Sequence, residues 1–179
     1  MKKILLSLLT ILAPFVINAQ TDAAAAAPSV PLDEEGIIRY IEVVNETGTA
    51  DELFKRCVKW INKEYKNPST VTPTRDAVTG KIVVRHIFRL QNTLETGTVT
   101  EVGDVAYDLN IQFKEGRYRA ELTSFVYKKA SKFPAENWLA TGTHPNPEYI
   151  SQLNEFALGL LESLKEGMKP EKVHKAEEW

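Results

Sequence analysis

Two kinds of hydrophobic spacing follow one another along this chain, and they predict helices and strands in a definite order. After Thr49 and again after Asn146, apolar residues recur at every third or fourth position, which is the spacing of one helix face. Thr49 and Glu52 form a capping-box pattern, and Pro147 suits the first position of a helix. The first stripe contains Ala50, Leu53, Phe54, Cys57, Trp60, Ile61 and Tyr65. The second contains Ile150, Leu153, Ala157, Leu160, Leu161, Leu164 and Met168.

Alternation of apolar and polar residues predicts five strands, at residues 37–45, 69–76, 81–91, 104–114 and 117–128. Pro73 removes a backbone donor, so we expect the second strand at a sheet edge. By parity, Ile41 and Val43 share one face of the first strand, and Phe125 points outward from the last. Residues 92–103 read as a loop or irregular hairpin, and residues 129–144 as a long connection.

The order β-α-β-β-β-β-α predicts an α+β fold. Each helix has a single apolar stripe, and burying such stripes requires a common partner surface. We therefore expect two helices on one face of a mostly antiparallel, five-stranded sheet, with the other face polar and wet. The domain is expected to span residues 36–168, with the last helix at 147–168.

The first nineteen residues have the pattern of a signal peptide. Two lysines precede an apolar run at residues 4–17, and Ala19 precedes Gln20 at the expected cleavage position. The run is too short to span a membrane, so we expect an exported protein, periplasmic or extracellular, without a transmembrane anchor. Residues 20–35 read as a flexible linker with five consecutive alanines, and residues 169–179 as a polar tail.

Composition narrows the range of partners. Removal of the leader leaves 179 − 19 = 160 residues with a charge of (22 − 2) − 24 = −4, since the leader contains two lysines and no acids. A mildly acidic protein lacks the field that attracts nucleic acid, so we expect no nucleic-acid partner. Cys57 is the single cysteine; it forms no internal disulfide, and it is too far from the cleavage position to carry a lipid anchor.

Several short motifs of the chain resemble those of a known family. They are Asp51-Glu52-Leu53-Phe54, Trp60-Ile61, Gly80-Lys81-Ile82 and Phe113-Lys114-Glu115-Gly116-Arg117-Tyr118-Arg119. Over residues 37–128 the chain is similar to an exported domain of unknown function, common in Bacteroidota, with a fold like that of the TATA-box-binding protein (TBP-like). The resemblance implies this fold. It implies no activity and no functional residues, and the name of the fold does not imply DNA binding.

The sequence contains no motif typical of an enzyme active site. His86, His144 and His174 lack other ligands at metal-binding spacing, so we expect no metal site and no cofactor. No nucleophile elbow is present, and Cys57 has no plausible His partner. We expect no catalytic residues and favour a role without catalysis.

Two surface features are candidates for ligand binding. Arg85, Arg89, Arg117 and Arg119 share the outward parity of two strands and would flank Ile87 and Phe125 if those strands lie close together. Such guanidinium groups would bind carboxylates or sulfated glycans. Alternatively, Glu121, Asp108 and Asp104 pair with them across strands. Trp138, in the long connection, either binds a partner or covers an end of the core.

We therefore expect an exported binding domain whose partner is an unidentified envelope protein or an anionic ligand. A second hypothesis is a small-molecule or lipid binder, or an enzyme, with a pocket between sheet and helices. Its lining would be Tyr107, Phe113, Tyr118, Trp60 and Phe156. A third is assembly through the edge strand at residues 69–76.

Overall fold

The computed structural model describes residues 29–170, and these form one antiparallel sheet with helices packed on one face. The strands are β1 (Tyr40–Asn45), β2 (Thr74–Asp76), β3 (Lys81–Thr93), β4 (Val99–Lys114), β5 (Arg117–Lys128) and β6 (Lys132–Pro134). The helices are α1 (Ala50–Glu64), α2 (Pro68–Val71), α3 (Pro147–Met168) and a 3₁₀ turn (Ala135–Trp138). The predicted signal peptide, residues 20–28 of the predicted linker and residues 171–179 of the tail lie outside the described residues.

The sheet order is β1-β5-β4-β3-β2, and every neighbouring pair is antiparallel. The short β6 pairs with the far end of β5. The predicted α+β architecture, with helices on one face of an antiparallel sheet, is confirmed, although the sheet has six strands. Only Thr74–Asp76 of the predicted strand at residues 69–76 is extended, because Pro68 at the first helical position starts α2.

The inner face of the sheet is closed by α1 and α3. The capping box predicted for α1 is present: Thr49 accepts from the Glu52 amide at 3.2 Å, and Glu52 accepts from the Thr49 amide at 2.8 Å. Both predicted stripes are buried against β3, β4 and β5 in one hydrophobic core. The two helices also contact each other, where the Trp60 indole donates to Ser163 Oγ at 3.0 Å.

Ile41 and Val43 share one face of β1, as predicted, and it is the outer face of the sheet. Ile41 and Val43 are 49% and 60% exposed, whereas Tyr40 is buried and Val44 packs against the core. The register with β5 sets Tyr40 opposite Leu122, and the Tyr40 hydroxyl donates to Asn154 of α3 at 2.8 Å. Alternation identifies which residues share a face but not which face meets the helices.

The outward position predicted for Phe125 is wrong, because a bulge reverses the parity of β5. Ala106 lies opposite Val126 and Asp108 opposite Thr123, so Ser124 and Phe125 together face Tyr107. Ser124 has φ = +60°, the left-handed conformation that inserts the extra residue. Phe125 consequently turns inward, where it is 1% exposed and meets the Tyr40 ring edge-on.

Residues 92–103 are more regular than a loop. β3 runs on to Thr93 and β4 begins at Val99, and the tight turn between them is closed by the Leu94 amide donating to Thr98 O at 2.9 Å. On the other side of the fold, residues 29–35 lie against the core rather than extending from it. Val30 is buried there, and Asp33 closes a turn by accepting from the Ile37 amide at 2.9 Å.

Candidate binding surfaces

The interior between sheet and helices is filled by the side chains that were candidates for a pocket. Trp60, Tyr107, Phe113 and Tyr118 are buried, and Phe156 stacks on Phe88 with ring centroids 4.2 Å apart. The Tyr107 hydroxyl lies 3.2 Å from the hydroxyl of Tyr65. Burial raises the pKa of Tyr107 to about 12 and raises that of Tyr65 further, so both phenols are neutral at physiological pH. These residues form the core of the domain.

The four candidate arginines do not form one cluster. Strand β4 separates the two on β3 from the two on β5. Arg85 lies opposite Asp108 of β4, and Asp108 in turn lies opposite Thr123 of β5. Thr123 is four residues beyond Arg119 on β5. That offset corresponds to about 13 Å along the strand. Because Phe125 points into the core, it does not lie between them either.

The two arginines on β3 are neutralised by carboxylates of β4. Arg85 Nε lies 3.4 Å from Asp108 Oδ2, and Arg89 Nη1 lies 2.7 Å from Glu101 Oε1. Hydrogen bonding to Glu101 raises the pKa of Arg89. This is the cross-strand pairing expected of a wet sheet face. These two residues on their own therefore leave no surplus positive charge for a ligand.

The arginines on β5 have a different environment, at the end of the sheet where β4 turns into β5. They line a hollow of about 220 Å³ that we call the basic hollow. Its lining residues are Val43, Gln112, Lys114, Arg117, Tyr118 and Arg119. Arg119 binds Glu121 at 2.6 Å, but Glu121 also accepts from Arg39 at 3.2 Å. Lys114 and Arg117 make no ion pair with any residue between Ser29 and Pro170.

Lys114 was not among the predicted ligand-binding residues, although the sequence contains the turn signal that places it beside Arg117. The turn at Glu115 and Gly116 sets Lys114 directly opposite Arg117. Residue Lys81 of β3 joins the same face, opposite Gln112. Three cations from β4 and β5 therefore line the basic hollow, and one of them, Arg119, is partly neutralised.

Trp138 is buried at 3% exposure, and it covers an end of the core as the sequence allowed. Its ring meets those of Tyr127, Phe133 and Tyr149 at centroid distances of 5.4, 6.0 and 5.3 Å. It also lines a hollow of about 510 Å³, which we call the apolar hollow. The remaining lining residues are Ser29, Val30, Leu32, Leu139, Ala140, Pro145, Pro147 and Ile150. Nearly all of these side chains are apolar.

Reactive groups are dispersed in the described part of the chain. No group of three or more His, Cys, Asp or Glu side chains between residues 29 and 170 is placed to hold a metal ion. The Cys57 thiol is fully buried, and burial raises its pKa. The His86 ring lies between Tyr65 and Tyr107, where desolvation lowers its pKa. Within the same residues, every helix is too short or too polar to cross a membrane.

Sheet order, register and helix placement together define an α+β domain of the TBP-like class. Residues 40–128 match the family described as "Domain of unknown function (DUF4468) with TBP-like fold", so the chain contains a domain of this family. The match covers β1 through β5. The C-terminal helix α3 and the residues before Tyr40 lie outside it.

Two solved structures share this fold. A TBP-like protein from Parabacteroides distasonis ATCC 8503 is 18% identical; the match has a TM-score of 0.63 and covers 78% of this chain and 96% of the other. A DUF4468 family protein from Bacteroides ovatus ATCC 8483 is 14% identical, with a TM-score of 0.63 and coverage of 84% and 95%. The comparison with curated proteins gives no match.

Proposed function

We propose that this protein is a non-catalytic binding domain that is exported to the cell envelope of a Bacteroidota bacterium and holds an anionic partner at the basic hollow. The observation that carries the proposal is the surplus of positive charge there. Lys114 and Arg117 face solvent without a carboxylate partner in the described residues, next to Arg119.

The chemistry of the basic hollow suits carboxylate or sulfate groups. Guanidinium groups bind planar or tetrahedral oxyanions through paired hydrogen bonds, and an ammonium adds a point charge. The exposed apolar side chains of Ile41 and Val43 border the same surface and would contact the non-polar part of a partner. A shallow, charged depression on a rigid sheet supports recognition rather than turnover, which needs convergent titratable groups.

Export is supported by the leader and by the source of the similar structures. The lysines, apolar run and Ala19–Gln20 junction are those of a cleaved signal. Relatives of the same fold come from Bacteroides and Parabacteroides. Mass spectrometry of the protein recovered from an envelope fraction tests this part of the proposal. The expected product begins at Gln20, and recovery of the uncleaved chain from the cytosol would contradict it.

Binding is tested with defined anionic probes. Heparin, polygalacturonate and neutral dextran are titrated against the protein beginning at Gln20 by calorimetry at low and moderate salt. We expect one or both polyanions to bind, dextran to be inert, and affinity to fall as salt rises. Arg117→Glu combined with Lys114→Glu should weaken binding at least about tenfold.

Lys63→Glu combined with Lys66→Glu is the matched control, because it also reverses two positive charges. Both lysines are exposed, Lys63 on α1 and Lys66 directly after it, so this variant lowers the net charge equally without altering the surface proposed to bind. We expect it to bind nearly as well as the parent. If the control variant weakened binding as much as the variant of Lys114 and Arg117, net charge alone would explain the effect. If neither polyanion bound, an anionic-glycan partner would be refuted.

A second candidate function is supported by the apolar hollow. A volume of about 510 Å³ with a nearly apolar lining suits a small hydrophobic molecule. Palmitate and a neutral naphthalene dye are suitable probes. Leu32→Asp places a charge at the rim without touching the buried core, since Leu32 is half exposed. It should weaken binding at least about tenfold, whereas Ile41→Asp on the outer sheet face should not.

A further inference from the structure

The last helix ends close to the basic hollow. Arg56 Nη1 donates to Met168 O at 3.2 Å and to Thr47 O at 2.7 Å, so one guanidinium group joins the end of α3 to the chain just after β1. The carbonyl of the residue after Thr47 accepts from the Gly116 amide at 2.9 Å. The end of α3 is therefore held beside the turn after which Arg117 begins β5.

The final turns of α3 also lie against β1, the strand that borders the basic hollow. Lys165 Nζ lies 2.9 Å from Glu42 Oε1. Side chains alternate along a strand, so Glu42 faces α3 while its neighbour Val43 lines the hollow on the outer face. Because β1 is the last strand on this side of the sheet, a chain that leaves α3 at Pro170 reaches the hollow by passing one strand.

Residues 171–179 of the tail, which follow Pro170 directly, are long enough for this path. Nine extended residues span about 30 Å. Layers packed face to face lie about 10 Å apart, and neighbouring strands about 5 Å apart. A tail that is only partly extended therefore reaches from the end of α3 to the space between β1 and β5.

The tail contains groups that complement the basic hollow. Residues 177–179 are Glu-Glu-Trp, and the two lysines of the tail come earlier, closer to α3. Adjacent carboxylates suit Lys114 and Arg117, which have no carboxylate partner within residues 29–170, unlike the arginines of β3. An indole suits the exposed side chains of Ile41 and Val43, or the face of a guanidinium group.

We propose that residues 171–179 fold back over β1 and occupy the basic hollow, so that the chain carries an internal ligand for it. The inference rests on the proposed function, because it names what competes there with an external anion. A tethered segment acts at an effective concentration of about 1 mM. A contact with an intrinsic dissociation constant of about 0.1 mM is then formed about nine-tenths of the time, and it weakens an external ligand about tenfold.

The fluorescence of Trp179 tests the contact without any external ligand. The other two tryptophans, Trp60 and Trp138, are buried, so acrylamide quenching reports mainly on Trp179. The difference between the parent protein and its Trp179→Phe variant isolates this signal. We expect Lys114→Glu combined with Arg117→Glu to raise the quenching constant of Trp179 at least about twofold at low salt. An unchanged constant would overturn the proposal.

Two controls locate the contact. Lys63→Glu combined with Lys66→Glu should leave the quenching constant unchanged, and an equal rise would attribute the protection of Trp179 to net charge and refute docking at the hollow. Dilution of the parent protein should also leave the constant unchanged, because a tethered contact does not depend on protein concentration. A rise on dilution would place the tail in the hollow of a second copy and refute the intramolecular contact.

Deletion of residues 171–179 measures the competition with an external anion. The shortened protein should bind heparin about tenfold more tightly than the parent at low salt. Glu177→Gln combined with Glu178→Gln should have a similar effect in the full chain. Glu95→Gln combined with Glu155→Gln removes the same charge from exposed positions on other parts of the surface, and it should leave the affinity nearly unchanged. Equal gains from the two glutamine variants would refute the internal ligand.

The two measurements separate this inference from the proposed function. Equal heparin affinities of the parent and the shortened protein would refute the internal ligand and leave the basic hollow as a site for external anions. Protection of Trp179 that depends on Lys114 and Arg117, without polyanion binding by the shortened protein, would support the internal ligand and refute an external anionic glycan.

Discussion

The two faces of the sheet of this DUF4468 domain differ in the side chains they carry and in how closely those side chains are packed. On the inner face, β3, β4 and β5 contribute close-packed apolar and aromatic side chains beneath α1 and α3. On the outer face, polar and charged side chains alternate with a few exposed apolar ones, including Ile41 and Val43. The helices seal one face and leave the other to solvent, so stability resides mainly on the first and recognition chemistry on the second.

Truncation of a central inner-face residue should have the largest effect. Leu109 lies on β4 in the middle of the sheet and is fully buried. Leu109→Ala should lower the free energy of unfolding by about 2–5 kcal/mol, because it loses buried apolar area and leaves a cavity. Val43→Ala on the outer face should change it by less than about 0.5 kcal/mol. Urea unfolding measures both, and comparable losses would contradict the division between faces.

A pair of glycines in α3 tests how closely the inner face is packed. A Cβ at Gly167 would lie 2.4 Å from Trp60 Cδ1, whereas a Cβ at Gly159 has no neighbour within 4 Å. Gly167→Ala should therefore cost about 1–3 kcal/mol through overpacking. Gly159→Ala should stabilise by about 0.5–1 kcal/mol through helix propensity. Thermal unfolding compares the two variants, and stabilisation by both would show that α1 and α3 are loosely packed.

Two buried tyrosines on the inner face differ in how their hydroxyls are satisfied. Tyr118 OH has no hydrogen-bond partner in residues 29–170, whereas Tyr107 OH shares a bond with Tyr65. Tyr118→Phe should raise the free energy of unfolding by about 1 kcal/mol, and Tyr107→Phe should lower it by about 1 kcal/mol or more. Denaturant titration of the two variants distinguishes the signs, and a loss in both would contradict the unpaired state of Tyr118.

The smallest effect is expected at His86, at the margin of the inner face. Desolvation lowers its pKa below the ordinary value of 6.5, so protons bind the unfolded chain more readily than the folded one. Stability should therefore decline as the pH falls through 6.5 toward the lower folded-state pKa. His86→Gln should flatten that part of the profile, measured by urea unfolding between neutral and mildly acidic pH. An unchanged slope would assign the decline to carboxylates.

Local chemistry made the elements of this fold predictable. The capping residues Thr49 and Glu52 and the 3.6-residue stripes located both long helices, because these signals act within one or two turns. The strands predicted on either side of Glu115 and Gly116 likewise located the β4–β5 hairpin, although the opposition of Lys114 and Arg117 across its turn was not among the predictions. The antiparallel layer with helices on one face follows from those elements.

The candidate sites depended on information that local patterns do not contain. Alternation of apolar and polar residues does not indicate which face of a strand meets the helices. The outward position of Ile41 and Val43 therefore follows only from the register of β1 with β5. The extra residue at the Ser124 bulge reverses which face of the sheet the following side chains of β5 point to, and this places Phe125 in the core. The order of strands separated Arg85 and Arg89 from Arg117 and Arg119 by the width of β4.

The sequence by itself therefore determined the type, order and approximate limits of the helices and strands, since hydrophobic period and capping act between neighbouring residues. Only the tertiary structure decided which cations remain without partners, that Trp138 is buried, and that α3 ends beside Thr47. Each of these depends on residues far apart in the chain, and their proximity is set by sheet order, register and helix docking.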